Sequence, residues 1–297
     1  MASFTEERIE HAKQIIKKIT LPSQPKVVME VNKEMHQSDP DFQKIANLVS
    51  QDTSMSARVI NVINAPFFGL SRKVESIIQA LTLMGLDNFF KVILTTCLQE
   101  KMSGSSKEHQ NFWKHSMRVA LAAEKIAKSL RSYLLAEDIT PDLAYMTGLF
   151  HDSAIPILLQ KKPEYLDFTP YALSHKLDII EDEDRFVGSD HCMIGGLLAR
   201  TWSLPPAVIK TIIYHHSSNP AAEKDAPVKL ISVIKLADYI GYSFDYTSGD
   251  ADVIIDTEWD MEDWGEKNSI VLDELNITLD EVADLKEEIF EILTHTQ

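Results

Sequence analysis

The sequence predicts an all-α protein organised as a two-lobed helical bundle, and three observations carry that reading. Apolar residues recur at helical spacing through most of the 297 residues, as in "FQKIANLVS" and "AVIKTIIYHH". Short polar acceptors and prolines stand where those runs begin, as the unpaired N–H groups of a helix start require. No stretch alternates apolar and polar residues between turn dipeptides, the pattern of a half-buried strand.

The elements follow in chain order. Asp39-Pro40-Asp41 reads as an N-cap with proline at the first helical position, opening "FQKIANLVS". Asp52 caps "TSMSARVINVINA". The stretch "INAPFFGLSRKVESI" reads as a helix end and turn, in which Pro66 breaks, Gly69 turns, and Phe67 and Phe68 anchor the connection. Its other reading is an interaction loop that displays Arg72 and Lys73. Asp87 caps "NFFKVILTTCLQEKM". Gly and Ser then cluster in "KMSGSSKEHQ", residues 101–110, which marks a boundary. The expected organisation is an N-terminal helical lobe over 1–105, a second lobe over 106–245 and an acidic C-terminal segment over 246–297. In the second lobe Thr140-Pro141-Asp142 opens the helix that leads to His151, and Pro205-Pro206 starts "AVIKTIIYHH". The acidic segment ends in "TLDEVADLKEEIFEIL", whose stripe of Leu279, Val282, Leu285, Ile289 and Leu293 is expected to pack back on the body.

Charge and composition exclude several functions. The net charge is −16, and residues 246–297 hold 16 acidic and 2 basic side chains. That balance argues against sequence-independent nucleic-acid binding, which depends on Lys and Arg neutralising phosphates. The acidic tail reads as a solvated helical face or as a docking surface for a basic partner. No continuous apolar run reaches the roughly 18 residues of a membrane span, and the N-terminus lacks the apolar core of a secretory signal. Cys97 and Cys192 lie far apart in sequence, which suggests reduced thiols and a cytoplasmic, membrane-free setting. "GEKNS" and "GSDH" lack the glycine spacing of a phosphate loop, and no G-x-S-x-G nucleophile motif occurs.

What stands out is a set of ionisable residues on apolar helix faces. His115 shares a face with Val119, Ala122 and Ile126. In "AYMTGLFHDSAIPILL" the adjacent pair His151-Asp152 interrupts an apolar run. Gly148 lies one turn before Asp152 and reads as leaving room beside it, and Pro156 is expected to kink or end the helix there. His191 lines up with Gly195 and Leu198, His215 with Val208 and Thr211, His216 with Ile209, Ile212 and Ile213, and Asp238 with Ile231 and Ile234. Cys192 follows His191 and reads as a core residue facing away. A buried polar group costs free energy unless it is paired or coordinates a metal. His and Asp suit first-row divalent cations, and one shared centre holding one or two ions (Fe, Mn, Ni or Zn) would satisfy all these positions together. Asp152 could then bridge two ions.

The order of His115, His151-Asp152, His191, His215-His216 and Asp238 resembles the HD superfamily of metal-dependent phosphohydrolases. "LPSQPKVVMEV", "IANLVSQDTSMSARVINVINAPFFGL" and "SIIQALTLMGLDNFFKVIL" resemble hallmark segments of the HDOD domain, as do "TGLFHDSAIPILL", "GSDHCMIGGLLARTWSLPPAVIKTIIYHH" and "VIKLADYIG". The resemblance covers roughly residues 20–245. It implies an all-helical bacterial regulatory domain of the signalling branch, in which many members have lost catalytic residues. Here the HD-type positions are kept. Departures point the other way: Ile155 stands where active cyclic-di-GMP phosphodiesterases of the superfamily have Lys, Asn111 where they have a Glu ligand, and their GYP signature is absent. These argue against cyclic-di-GMP hydrolysis.

Two functions are therefore expected. The first is a signal-transduction domain with a divalent-metal site, acting through signalling proteins or by sensing a phosphoester or nucleotide ligand. The second is a metal-dependent phosphohydrolase with Asp152 as its bridging, catalytic carboxylate. Arg118 and Arg185 are the cations considered for gripping phosphate, though nothing in the sequence ties either to the site.

Overall fold

The structure, a computed structural model, describes residues 12–14, 21–64, 73–102, 107–161, 165, 179–247 and 261–294. Among the described residues there are helices, turns and bends but no strand, so the chain is all-α. It divides into two compact units, one built mainly from Pro22–Ser103 and one mainly from Gly104–Leu293.

The first unit contains α1 (Lys26–Met35), α2 (Phe42–Ser50), α3 (Thr53–Ile63) and α4 (Ile77–Lys101). The cap of α2 is Asp41 and not the Asp39-Pro40 pair. Asp41 is extended, and its carboxylate accepts from the Lys44 N–H at 3.0 Å. Starting there puts Ile45, Ala46 and Val49 in the core. Asp52 caps α3 by accepting from the Met55 N–H at 3.0 Å. The Asn64 amide then bridges to both main-chain groups of Val74 at 2.8 Å. Pro66, Phe67, Phe68, Gly69 and Arg72 lie outside the described residues. Among the described residues, α4 alone passes as a membrane span by length and composition. However, Gly85 (φ 77°, ψ 170°) breaks it into two helical stretches, and Phe89, Ile93 and Cys97 are buried in the unit's own core.

The second unit contains α5 (Lys107–Ser129), α6 (Pro141–Phe150), α7 (Ile155–Lys161), α8 (Ile179–Val187), α9 (His191–Thr201), α10 (Pro206–Tyr214) and α11 (Val228–Thr247). Three helices follow: α12 (Met261–Lys267), α13 (Ser269–Leu275) and α14 (Leu279–Thr294). Helix α5 lies along α6 and α11, and α9 lies along α10. Thr140 caps α6 by accepting from the Leu143 N–H at 3.1 Å, with Pro141 in the first turn. Thr278 and Glu281 form a reciprocal capping box at the start of α14. Val282, Leu285, Ile289 and Leu293 are buried. Lys125 of α5 meets Glu288 at 2.5 Å, and the rings of Phe244 and Phe290 meet at 5.1 Å.

Glycine sets the distance between α5 and α6. A Cβ at Gly148 would lie 2.9 Å from the Cα of Ala120 and 2.9 Å from the carbonyl oxygen of Val119. The space at Gly148 is therefore taken by the main chain of α5, not kept open for Asp152.

Candidate metal centre

Helix α6 ends at Phe150, and His151 is its C-cap. Residues 151–154 form a turn, and α7 starts at Ile155 with Pro156 second, where its missing N–H has no helical partner to lose. The His-Asp pair thus sits in the break between two helices, where Pro156 allows it. His115 comes from the middle of α5, His191 opens α9, His215 and His216 directly follow α10, and Asp238 sits inside α11.

These seven residues converge within the second unit. The His115 Nε2 lies 3.0 Å from Asp238 Oδ1, and the His151 Nε2 lies 3.5 Å from the same oxygen. Asp152 turns its two oxygens to different neighbours. Oδ2 is 3.3 Å from the His151 Nε2, whereas Oδ1 is 3.3 Å from the His191 Nε2 and 3.2 Å from the His215 Nε2. The ring of His216 lies tilted at 4.3 Å from His215 and meets His191 at 5.0 Å. Two groups of potential ligand atoms result, each within 4.8 Å of one another: His115 with His151 and Asp152, and His191 with Cys192, His215 and His216.

Every imidazole that points an Nε2 inward commits its Nδ1 elsewhere. His151 donates to the Gly148 carbonyl and His215 to the Ile212 carbonyl, both at 2.7 Å. The His191 Nδ1 pairs with Glu183 at 2.7 Å, and Glu183 also accepts from the His191 main-chain N–H at 2.8 Å and from the Tyr165 hydroxyl. The His115 Nδ1 pairs with Asp245 at 3.0 Å, and Arg118 pairs with the other oxygen of Asp245. An acceptor on Nδ1 fixes the ring and leaves Nε2 as the ligand atom, the outer-shell arrangement of histidine metal sites.

The inward atoms fit an ion better than they fit one another. His151 Nε2, Asp152 Oδ1 and His215 Nε2 are buried without a hydrogen-bond partner. Unpaired buried polar atoms are rare in native proteins. Separations of 3.0–3.5 Å are those of ligands sharing a cation at about 2.0–2.2 Å. Burial and the carboxylates set the charge states of the rings. Burial, helped by the neighbouring His151, holds His115 below its usual range against the pull of Asp238. Burial also opposes charge on His151, but Asp152 and Asp238 outweigh it and hold the ring well above that range. For His191, burial is overcome by Cys192, Glu183 and Asp152, and for His215 by Cys192 and Asp152, which raise it to about 9. Burial, then the His151 and His191 charges that outweigh it, leave Asp152 well below the carboxylate range. Burial and the neighbouring His215 and His191 keep His216 neutral.

Three readings of the sequence change here. Cys192 does not face away: its sulfur lies 3.4 Å from the His191 Nε2 and 3.6 Å from the His215 Nδ1. Arg118 is buried in its pair with Asp245, and Arg185 is exposed beside Asp182 at 3.2 Å. Glu183, Asp245 and Tyr165 were not expected. Asp245 had a signal, since it lies two helical turns beyond Asp238 on the same face of α11. Glu183 reaches His191 across a break between helices, which periodicity does not report. Lys235 was also missed. It precedes Asp238 by one turn, and burial pushes its ammonium down to about 8 against the pull of Asp238 and Cys192.

The HDOD domain family model matches residues 21–218, and the chain belongs to this family. It is 27% identical over 224 residues to an uncharacterized protein of Treponema pallidum (strain Nichols), a match covering 73% of this chain and 41% of that protein. The chain therefore spans about two fifths of the length of the curated relative it matches. The fold is shared with an HDOD domain protein of unknown function from Geobacter sulfurreducens, with TM-score 0.69, 24% identity and coverage of 98% and 97% of the two chains. It is also shared with a proposed metal-dependent phosphohydrolase from Shewanella amazonensis, with TM-score 0.62, 18% identity and coverage of 99% and 100%. A proposed signal transduction protein from Marinobacter aquaeolei aligns with TM-score 0.60 and 18% identity over 97% of this chain and 64% of that one.

Proposed function

We propose that this chain is a metal-binding HDOD signalling domain, in which His115, His151, Asp152, His191, His215, His216 and Asp238 hold one or two divalent ions. One observation carries the reading: four Nε2 atoms, each with its Nδ1 already committed, face the oxygens of Asp152 and Asp238 in a buried space. Asp152, with one oxygen toward each group, would bridge two ions. The domain acts through signalling proteins or a sensed ligand, and ion occupancy sets the order of the helices that carry the ligands. The test is elemental analysis of protein purified without a metal-affinity column, beside a His151→Ala, Asp152→Ala double variant. One or two equivalents, absent from the variant, support the reading. No ion, even after incubation with manganese, iron, nickel or zinc, overturns it.

A second reading, phosphoester hydrolysis, is favoured by Lys235. A divalent ion held by these residues would supply an activated water and polarise a phosphoryl oxygen. Lys235 keeps its proton at neutral pH and places a cation one turn from Asp238, a charge that Ile155 cannot provide. It would neutralise a substrate phosphate, while Asp245 and Glu183 hold the rings of His115 and His191 in place. Hydrolysis of a phosphoester panel by the metal-loaded protein, lost in Lys235→Met, supports this reading. A metal-loaded protein inert to the whole panel removes it and leaves the signalling reading standing.

A further inference from the structure

Cys192 belongs to neither the HD pattern nor a disulfide; both cysteines are free. Its side chain is buried, and its sulfur lies 3.4 Å from the His191 Nε2. Ligands around one tetrahedral zinc, with Zn–S about 2.3 Å and Zn–N about 2.0 Å, stand roughly 3.5 Å apart. The 3.4 Å contact, a hydrogen bond between thiol and ring, is also the spacing of two ligands of one ion. A second observation is independent of the cysteine. The His215 Nε2 and Asp152 Oδ1 are buried, lack a hydrogen-bond partner and lie 3.2 Å apart, with Asp152 Oδ1 also 3.3 Å from the His191 Nε2. Nitrogen, oxygen and sulfur thus line one space. Cys192 is the second residue of α9, where the helix dipole favours negative charge.

We infer that Cys192 is a metal ligand, and that its thiolate makes the His191–His215–His216 side of the centre a site for a soft divalent cation, zinc or ferrous iron. This rests on the metal-centre reading above. The S–H bond breaks as the sulfur–metal bond forms, and the proton leaves to solvent. Thiolate selects zinc and iron, whereas manganese and magnesium prefer oxygen. The two sides then differ in kind. The His115, His151, Asp152 and Asp238 side offers only nitrogen and oxygen, and the other side adds sulfur.

Cobalt(II) tests this directly, because a thiolate ligand gives it an intense near-ultraviolet charge-transfer band that nitrogen and oxygen ligands do not. The wild-type protein, stripped and reloaded with cobalt, is expected to show the band. Cys97→Ser should keep it, since Cys97 packs 3.9 Å from the Met55 sulfur and burial pushes its thiol up to about 12. Cys192→Ser should lose it. Its zinc affinity should fall on the order of 10- to 100-fold, the scale for a disturbed metal site, with manganese affinity unchanged. Circular dichroism checks that the variant is folded, and if it is not, the wild-type and Cys97→Ser spectra decide. A wild type that holds cobalt without the band overturns this inference and leaves the metal centre intact, as does a band that survives in folded Cys192→Ser. A wild type that holds no metal overturns both.

Discussion

In the unit built from Pro22–Ser103, Ile45, Val49, Val59, Ile63 and Leu81 fill the core, and Glu34 and Lys91 are the charged residues buried among its described residues. Asp41 and Asp52 cap helices, Glu34 pairs with Lys44 at 2.5 Å, and the buried Thr96 hydroxyl donates to its own helix at 2.7 Å. In the unit built from Gly104–Leu293, His115, His151, Asp152, Glu183, His191, His215 and Asp245 are buried together. Among the described residues of the first unit, no buried side-chain nitrogen or oxygen lacks a hydrogen-bond partner. The second leaves His151 Nε2, Asp152 Oδ1 and His215 Nε2 unsatisfied. Such atoms each cost about 1–3 kcal/mol when nothing pairs them, and the ion proposed above would pair these three. With that ion the unit would have two stability states, loaded and empty, whereas an apolar core has one.

The largest effect that sharpens this contrast is metal removal. At free metal a thousandfold above its dissociation constant, binding stabilises by about 4 kcal/mol. Chelation should therefore weaken hydrogen-exchange protection in residues 107–247 and leave residues 26–63 unchanged. Equal loss in both would break the contrast. Ile45→Ala, which opens a cavity at a fully buried position, should cost about 3 kcal/mol in denaturant unfolding, with metal content unaltered. Gly148→Ala should cost roughly 2 kcal/mol, because its Cβ meets main chain at 2.9 Å and neither helix can yield by moving a side chain. Unlike Ile45→Ala, it should also lower metal affinity, since the Gly148 carbonyl holds the His151 ring. The smallest effect falls on Glu183→Gln. Calorimetric zinc titration should show affinity about tenfold weaker with the fold intact, as when the outer partner of a histidine ligand loses its charge.

Much of this was legible in the sequence because helices repeat. His115 falls on the stripe of Val119, Ala122 and Ile126, all buried, and Asp52 and Thr140 announce helix starts through side chains three residues from the N–H they cap. Periodicity says which face turns inward, not what that face meets. It therefore located His191 and His115 without showing that Glu183 and Asp245 would orient their rings. Cys192 was misread for a related reason. It sits at the first turn of α9, where the chain is still entering the helix and the 100° rule does not yet fix which way a side chain points. Gly148 was read as empty space because a sequence does not show which neighbour fills a missing side chain.

Gly148 also bears on the proposed metal centre without touching it. Helix α5, which carries His115, and helix α6, which His151 caps, meet through main chain at that residue, so no side chain acts as a spacer between them. The absent side chain thereby sets the distance between two elements that supply candidate ligands, and an ion taken up there would have to suit a gap fixed by backbone.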